Sequence, residues 1–200
     1  MNPILVVGAS VGGATAANTL ATAGIPVVLL ERDLTWVKPC GGALPPVAFD
    51  EFAIPEALIS RKVRKTTINS PSGRRVEIEV AGLQKSDHDY VAMVCREELD
   101  PYLRQRAVTN GAQLIEGTLL ELTVESSGVT ATYREKGSNQ KQTLRAEAVI
   151  GADGAYSTTA KLLGLERLPR CIAIQERMYL PPQKMARWQD TADLYLGQEV

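Results

Sequence analysis

Three observations predict an α/β fold that combines a parallel sheet with an antiparallel β meander. First, the apolar run of residues 4–7 ends at Gly8, a helical pattern follows, and a second run, 27–30, ends at Glu31. Runs without alternation suit strands buried on both faces, so this is a βαβ unit. Second, apolar and polar residues alternate through the middle of the chain. Third, Ala148-Val149-Ile150 returns to the continuous pattern and enters a second glycine turn, Gly151-Ala152-Asp153-Gly154.

Each element follows from local chemistry. Over 12–23, Thr15, Asn18, Thr19 and Thr22 share one helical face, and Ala14, Ala17, Leu20 and Ala21 share the other. Gly24 is placed to cap that helix, with Pro26 just beyond. Residues 33–60, broken by Pro39, Pro45, Pro46 and Pro55, read as irregular. Val76, Ile78 and Val80 alternate with Arg75, Glu77 and Glu79 after the turn 71–74, the pattern of an antiparallel hairpin with one wet face. A short strand is expected over 91–95. Leu99, Leu103 and Ala107 mark a helix ending at Asn110-Gly111; Pro101 leaves its start open, because proline suits the first turn but not the interior. The meander comprises 113–116, then Leu120, Leu122 and Val124, then Val129, Ala131 and Tyr133. A short helix spans about 157–163, and the tail carries two strand-like pieces, 172–174 and 194–196.

Composition removes several classes of function. Twenty-two Lys plus Arg against 23 Asp plus Glu leave a net charge of −1, so no global field draws the chain to nucleic acid. Aromatic content of 5% is low for base stacking. The single histidine, His88, lies in a polar stretch that reads as a loop, and no Cys-x-x-Cys accompanies it, so no metal site is expected. Cys40, Cys95 and Cys171 read as free thiols in a reducing compartment. The first charged residue is Glu31, but no basic segment precedes the apolar stretch, and glycines cut it into short pieces. A cytoplasmic protein, or one that visits a membrane surface without crossing it, is expected.

The chemistry lies in the first turn. Gly8-Ala9-Ser10-Val11-Gly12-Gly13 fits the dinucleotide fingerprint G-x-G-x-x-G with Ser10 at the second glycine. Gly8 allows the sharp turn, Gly13 close helix–strand packing, and the helix N-terminus offers N–H groups to a pyrophosphate. Glu31, ending the next strand, can accept hydrogen bonds from both hydroxyls of an adenosine ribose and would repel a 2′-phosphate, which favours FAD or NAD over NADP. The second turn, 151–154, suits a long dinucleotide contacted from two places, the FAD arrangement. Its alternative is a turn in which Asp153 only caps a helix.

These motifs, with Arg32 and with Arg96 ahead of Leu99 and Leu103, resemble the FAD-dependent group of aromatic hydroxylases and geranylgeranyl reductases. Lys38-Pro39-Cys40-Gly41-Gly42-Ala43-Leu44-Pro45, residues 52–55, the basic run 61–65, Ser70-Pro71-Ser72 and Gln175-Glu176-Arg177 look specifically like the geranylgeranyl reductases of chlorophyll-making organisms. The resemblance implies a Rossmann-like FAD/NAD(P)-binding domain over 1–165, with a strand-rich insertion near 61–92. Residues 166–200 would begin a truncated substrate domain. It puts Gly8, Ser10 and Gly13, with Val11 and Gly12 between them, at the FAD pyrophosphate. Glu31 would lie at the ribose with Arg32 beside it, Arg96 on the ribityl-phosphate side, and Asp153 and Gly154 on the cofactor's other side. Cys40, Gly41 and Gly42 would lie near the isoalloxazine, Cys40 either as a candidate catalytic group or as a thiol that only packs.

The implied activity is saturation of geranylgeranyl double bonds to phytyl, with NADPH reducing FAD and an isoprenoid diphosphate or chlorophyllide ester as substrate. No protein partner is identifiable, and contact with a photosynthetic membrane would be peripheral. The alternatives are a flavin monooxygenase, a reductase of archaeal-type isoprenoid lipids and a non-catalytic nucleotide-binding module. Ala160 stands where hydroxylases of the group carry arginine, and the group's later Gly-Asp element is expected beyond Val200. Arg61, Lys62, Arg64 and Lys65 form either a solvated face or a patch for an acidic headgroup.

Overall fold

A computed structural model describes residues 1–80, 89–166, 169 and 171–197. His88, with the polar stretch before it, lies outside the described residues. The chain divides into two compact units, one of Met1–Lys38 with Leu99–Ala173, the other of Pro39–Glu98 with Ile174–Val200.

The first unit is built on one six-stranded sheet. Its strands are β1 (Ile4–Val7), β2 (Val27–Glu31), β8 (Gln113–Glu125), β9 (Gly128–Glu135), β10 (Lys141–Ala146) and β11 (Ala148–Gly151). The order is β10-β9-β8-β2-β1-β11, parallel from β8 through β11 and antiparallel across β8, β9 and β10. The continuous apolar runs become its centre: Leu5, Val6 and Val28 to Leu30 are at most 4% exposed. On one face Leu5, Val7, Val28 and Leu30 form a core with Leu119, Val129, Ala131 and Tyr133, and Leu162 packs against it.

Helix α1 (Val11–Thr22) buries Gly13, Ala14, Ala17 and Ala21, the small side expected. It closes on Gly24 at φ +74, with Gly24 N–H bonded to the Ala21 carbonyl and Ile25 N–H to that of Leu20. That is a Schellman motif. Helix α3 (Arg96–Thr109) ends the same way at Gly111 and Ala112, and Leu99, Leu103 and Ala107 are its buried stripe. It starts at Arg96, which places Pro101 inside it; the missing N–H affects only the Glu97 carbonyl in the first turn. Helix α4 (Thr158–Leu162) follows β11.

Among the described residues the second unit holds two three-stranded sheets. β3 (Ala43–Leu44), β7 (Val91–Val94) and β4 (Ile59–Val63) pair in that order. β12 (Thr191–Tyr195), β5 (Lys65–Asn69) and β6 (Arg75–Glu79) form the other, and the predicted hairpin is β5–β6. Short helices α2 (Val47–Glu51) and α5 (Pro182–Met185) also lie in this unit.

Four expectations are corrected. Residues 33–60 are not simply irregular, because β3, α2 and the start of β4 lie among the prolines. Residues 113–125 are one strand, whose register shift between Leu119 and Glu121 disguises its continuity as two patterns. β10, with only Leu144 and Ala146 apolar, is an edge strand that the alternation rule passes over. Residues 172–174 are not a strand: they have no ladder partner, and Ile172 and Ile174 are 89% and 93% exposed.

Candidate functional site

The glycine turn after β1 is closed by backbone. Gly8 sits at φ +97 and donates its N–H to Leu30. A Cβ there would lie 2.5 Å from the Ala152 carbonyl oxygen, and one at Gly13 would lie 1.7 Å from that of Gly8. Ala152 N–H in turn bonds the Val7 carbonyl. The two glycine turns, 144 residues apart at Gly8 and Ala152, therefore share one corner, brought together by the parallel pairing of β1 with β11. Gly12 is exposed, with nothing within 4 Å of a Cβ, and Val11 opens the helix half-buried.

Ser10 occupies the N-cap of α1, but its side chain makes no cap hydrogen bond. The hydroxyl donates instead to Asp100 Oδ2 of α3 at 3.1 Å, and Asp100 is buried. The serine oxygen thus does not cap the first-turn N–H groups at the positive end of α1.

Glu31 turns toward this corner. Its Oε2 accepts the Ala9 N–H at 2.7 Å and its Oε1 accepts the Asp33 N–H at 3.1 Å. An ionised carboxylate has about four acceptor positions, so capacity for hydroxyl donors remains. Arg32 is exposed. Beyond it the loop is held by charge: Lys136 Nζ reaches Glu116 at 2.5 Å and Asp33 at 3.4 Å, and Glu116 accepts the Leu34 N–H. The Thr35 hydroxyl and N–H, then Lys136, hold the Asp33 carboxyl down at about 2. Lys136 holds that of Glu116 below its ordinary range.

The Asp153 side chain is engaged locally. Oδ1 accepts the Ser157 hydroxyl at 2.5 Å and Oδ2 accepts the Thr159 N–H at 2.9 Å, while Ser157 caps α4. Gly154, at φ +79, carries the chain away from it. Gly154, Tyr156, Ser157 and Lys161 border an open cavity of about 650 Å³.

Cys40, Gly41, Gly42 and Arg96 belong to the second unit. Gly42 sits at φ +77, and its Cβ would lie 2.0 Å from the Val94 carbonyl oxygen. The demand for glycine at 42 therefore comes from β7 itself; Gly41 has open space. Gln175 binds the Cys40 backbone twice, accepting its N–H at 3.1 Å and donating to its carbonyl at 2.9 Å. Cys40 Sγ accepts the Gly42 N–H at 3.4 Å. Arg177 pairs with Glu97. Arg96 is buried at the start of α3. The basic run is compensated: Lys62 pairs with Glu56, Arg64 with Asp89 and Lys65 with Glu77, which favours a solvated face.

Sequence reasoning missed Asp33, Asp100, Glu116 and Lys136, and quoted Gln175 only as part of the resemblance, with no role given to it. Glu116 had a signal, since it ends the strand expected over 113–116. The others are recruited by tertiary structure. Among the described residues no cluster suited to a metal ion occurs, and no helix is long and apolar enough to cross a membrane.

The FAD binding domain family model matches residues 1–175. Geranylgeranyl diphosphate reductase of Arabidopsis thaliana is 40% identical over 98% of this chain and 43% of its own length. The Synechocystis protein of that name is 39% identical over 98% of this chain and 49% of its own length. The chain thus spans less than half of these curated relatives. A geranylgeranyl bacteriochlorophyll reductase-like protein from Thermoplasma acidophilum superposes with a TM-score of 0.76 at 24% identity, over 98% of this chain and 50% of that one, and shows the same fold. The chain belongs to the FAD binding domain family.

Proposed function

We propose that this chain is the FAD-holding part of an NADPH-dependent flavoprotein that saturates isolated double bonds of a geranylgeranyl chain. The observation that carries the reading is the Glu31 carboxylate 2.7 Å from the Ala9 N–H, beside a turn in which Gly13 packs onto Gly8. The corner fits the adenylate half of FAD. It has a carboxylate with acceptor capacity for the ribose and a helix N-terminus uncapped by its serine, and missing Cβ atoms keep it tight. The same carboxylate opposes a 2′-phosphate, so NADPH would bind elsewhere.

In this reading Gly8, Ser10, Val11, Gly12 and Gly13 surround the pyrophosphate, and Glu31 orients the adenosine with Arg32 beside it. Asp153 acts through its backbone, because its carboxylate is committed to Ser157 and Thr159. Arg96 serves the ribityl-phosphate, and Cys40, Gly41 and Gly42 serve the ring. Bound FAD, reduced by NADPH, supplies the hydride that one alkene carbon receives while a proton reaches the other. The chain's part is to exclude water and to hold that proton, with Cys40 Sγ as the candidate atom. The substrate is the diphosphate or the chlorophyllide ester, in chlorophyll synthesis at the edge of a photosynthetic membrane.

Purified protein should carry flavin absorbance, and Glu31→Gln should weaken FAD binding about tenfold, the size of one charge-assisted hydrogen bond. With geranylgeranyl diphosphate and NADPH, the protein extended as in its relatives should give a product heavier by one H₂ per bond. Absence of flavin binding, or oxygen uptake with a hydroxylated product, would overturn the reading.

A further inference from the structure

We propose that Lys136 is a positioning residue of the adenosine corner: by tying Asp33 to Glu116 it fixes the loop after Glu31 and so the grip on the adenylate half of FAD. The proposal rests on Glu31 being the ribose acceptor.

β2 and β8 run parallel with Glu31, the last residue of β2, opposite Glu116 within β8, so two carboxylates leave neighbouring strands side by side. Asp33 adds a third within two residues. Like charges that close repel, and the loop would open without a cation among them. Lys136, just after β9, supplies it, 2.5 Å from Glu116 and 3.4 Å from Asp33. Its own N–H bonds the Glu116 carbonyl at 2.9 Å, which seats the lysine beside Glu116.

The loop is then held residue by residue. Leu34 donates its N–H to the same Glu116 oxygen at 3.0 Å and receives Arg104 on its carbonyl at 3.2 Å. Thr35 donates both its N–H and its hydroxyl to Asp33, at 3.0 and 2.7 Å. The link to the site is the Asp33 N–H, which donates to Glu31 Oε1 at 3.1 Å. A displaced Asp33 therefore reaches the ribose-reading carboxylate through one hydrogen bond.

The lysine side chain is 50% exposed, and those of Asp33 and Glu116 are 44% and 27% exposed. Ion pairs so exposed add little to global stability. What convergent contacts on three loop residues do is restrict where the loop can sit, and preorganisation of that kind appears in ligand affinity.

The test compares FAD with FMN, which lacks the adenylate half, by fluorescence titration of the 200-residue chain, with thermal melting beside it. Lys136→Met should weaken FAD binding about five- to tenfold while leaving FMN binding and the melting temperature nearly unchanged, and Lys136→Arg should restore FAD binding to within about twofold. Unchanged FAD affinity in Lys136→Met, with Glu31→Gln still impaired, would overturn the role of Lys136 and leave the adenosine reading standing. Equal weakening of FAD and FMN would also overturn it, by marking a general structural role. If Glu31→Gln leaves the FAD to FMN ratio unaltered, the adenosine reading falls and the proposal with it.

Discussion

The glycine corner and the Cys40–Gly42 turn solve one steric problem with different fastenings. Each has a glycine where a backbone oxygen occupies the place of a Cβ, 1.7 Å away at Gly13 and 2.0 Å away at Gly42. The corner is closed by main-chain bonds, Gly8 to Leu30 and Ala152 to Val7, made between parallel strands. Cys40, by contrast, gives both its backbone groups to one side chain, Gln175. A corner closed by main-chain bonds keeps that closure when a neighbouring side chain changes, whereas a turn hung on one amide can be retuned by a single substitution.

The largest effect should come from breaking the corner. Gly13→Ala forces a methyl into the Gly8 carbonyl, which two strands hold in place, and should cost about 3 kcal/mol or more of stability together with flavin binding. Gly12→Ala, one residue earlier in the helix with open space around it, should instead stabilise by up to about 1 kcal/mol. Thermal melting of the two variants side by side checks this, and similar melting temperatures would mean that the corner relaxes. Gly42→Ala should resemble Gly13→Ala in cost, since both its φ of +77 and the Val94 carbonyl oppose a side chain.

A smaller effect should sharpen the contrast. Gln175→Ala removes two exposed hydrogen bonds and should cost about 1 kcal/mol, felt locally. The Cys40 thiol should then react roughly threefold faster with a maleimide, because the turn opens more often. Labelling rates resolved by peptide mass distinguish Cys40 from Cys95 and Cys171. An unchanged rate would show that the Gly42–Val94 contact alone holds the turn, making the two regions alike.

The contrast also explains what was legible in the sequence. The corner could be read from Gly8, Gly13 and Glu31 because its determinants are backbone demands and one strand-end carboxylate, all within a single βαβ unit. Its partner Ala152 was legible only as a second turn; the parallel pairing that joins the two is a tertiary fact. Asp153 carried two readings, and the structure commits its carboxylate to α4. Gly42 was read for closeness to a cofactor, yet the backbone it meets belongs to β7. Lys136 lies 105 residues from Glu31, and nothing local distinguishes it from other polar residues; Gln175 stands in a stretch that carries the resemblance, but its bonds to Cys40, 135 residues away, are a tertiary fact.

The smallest effect concerns a charged fastening of the loop beside the corner. Asp33 is held at about 2, first by the Thr35 hydroxyl and N–H and then by Lys136, against 3.8 for the free side chain. A folded-state value below the unfolded one means that the ionised form steadies the loop. That contribution is complete above about 3.8 and is lost as pH falls through about 2. The backbone bonds of the corner do not titrate in that window, so the loop should loosen in acid before the corner does. Carbon-detected NMR of the Asp33 carboxyl should place its midpoint near 2, and amide exchange at Leu34 and Thr35 should quicken over the same interval, with Asp33→Asn fast throughout. A midpoint near 3.8 would show that Thr35 and Lys136 exert no hold on the carboxylate and would leave the loop to its bonds with Glu31, Glu116 and Arg104.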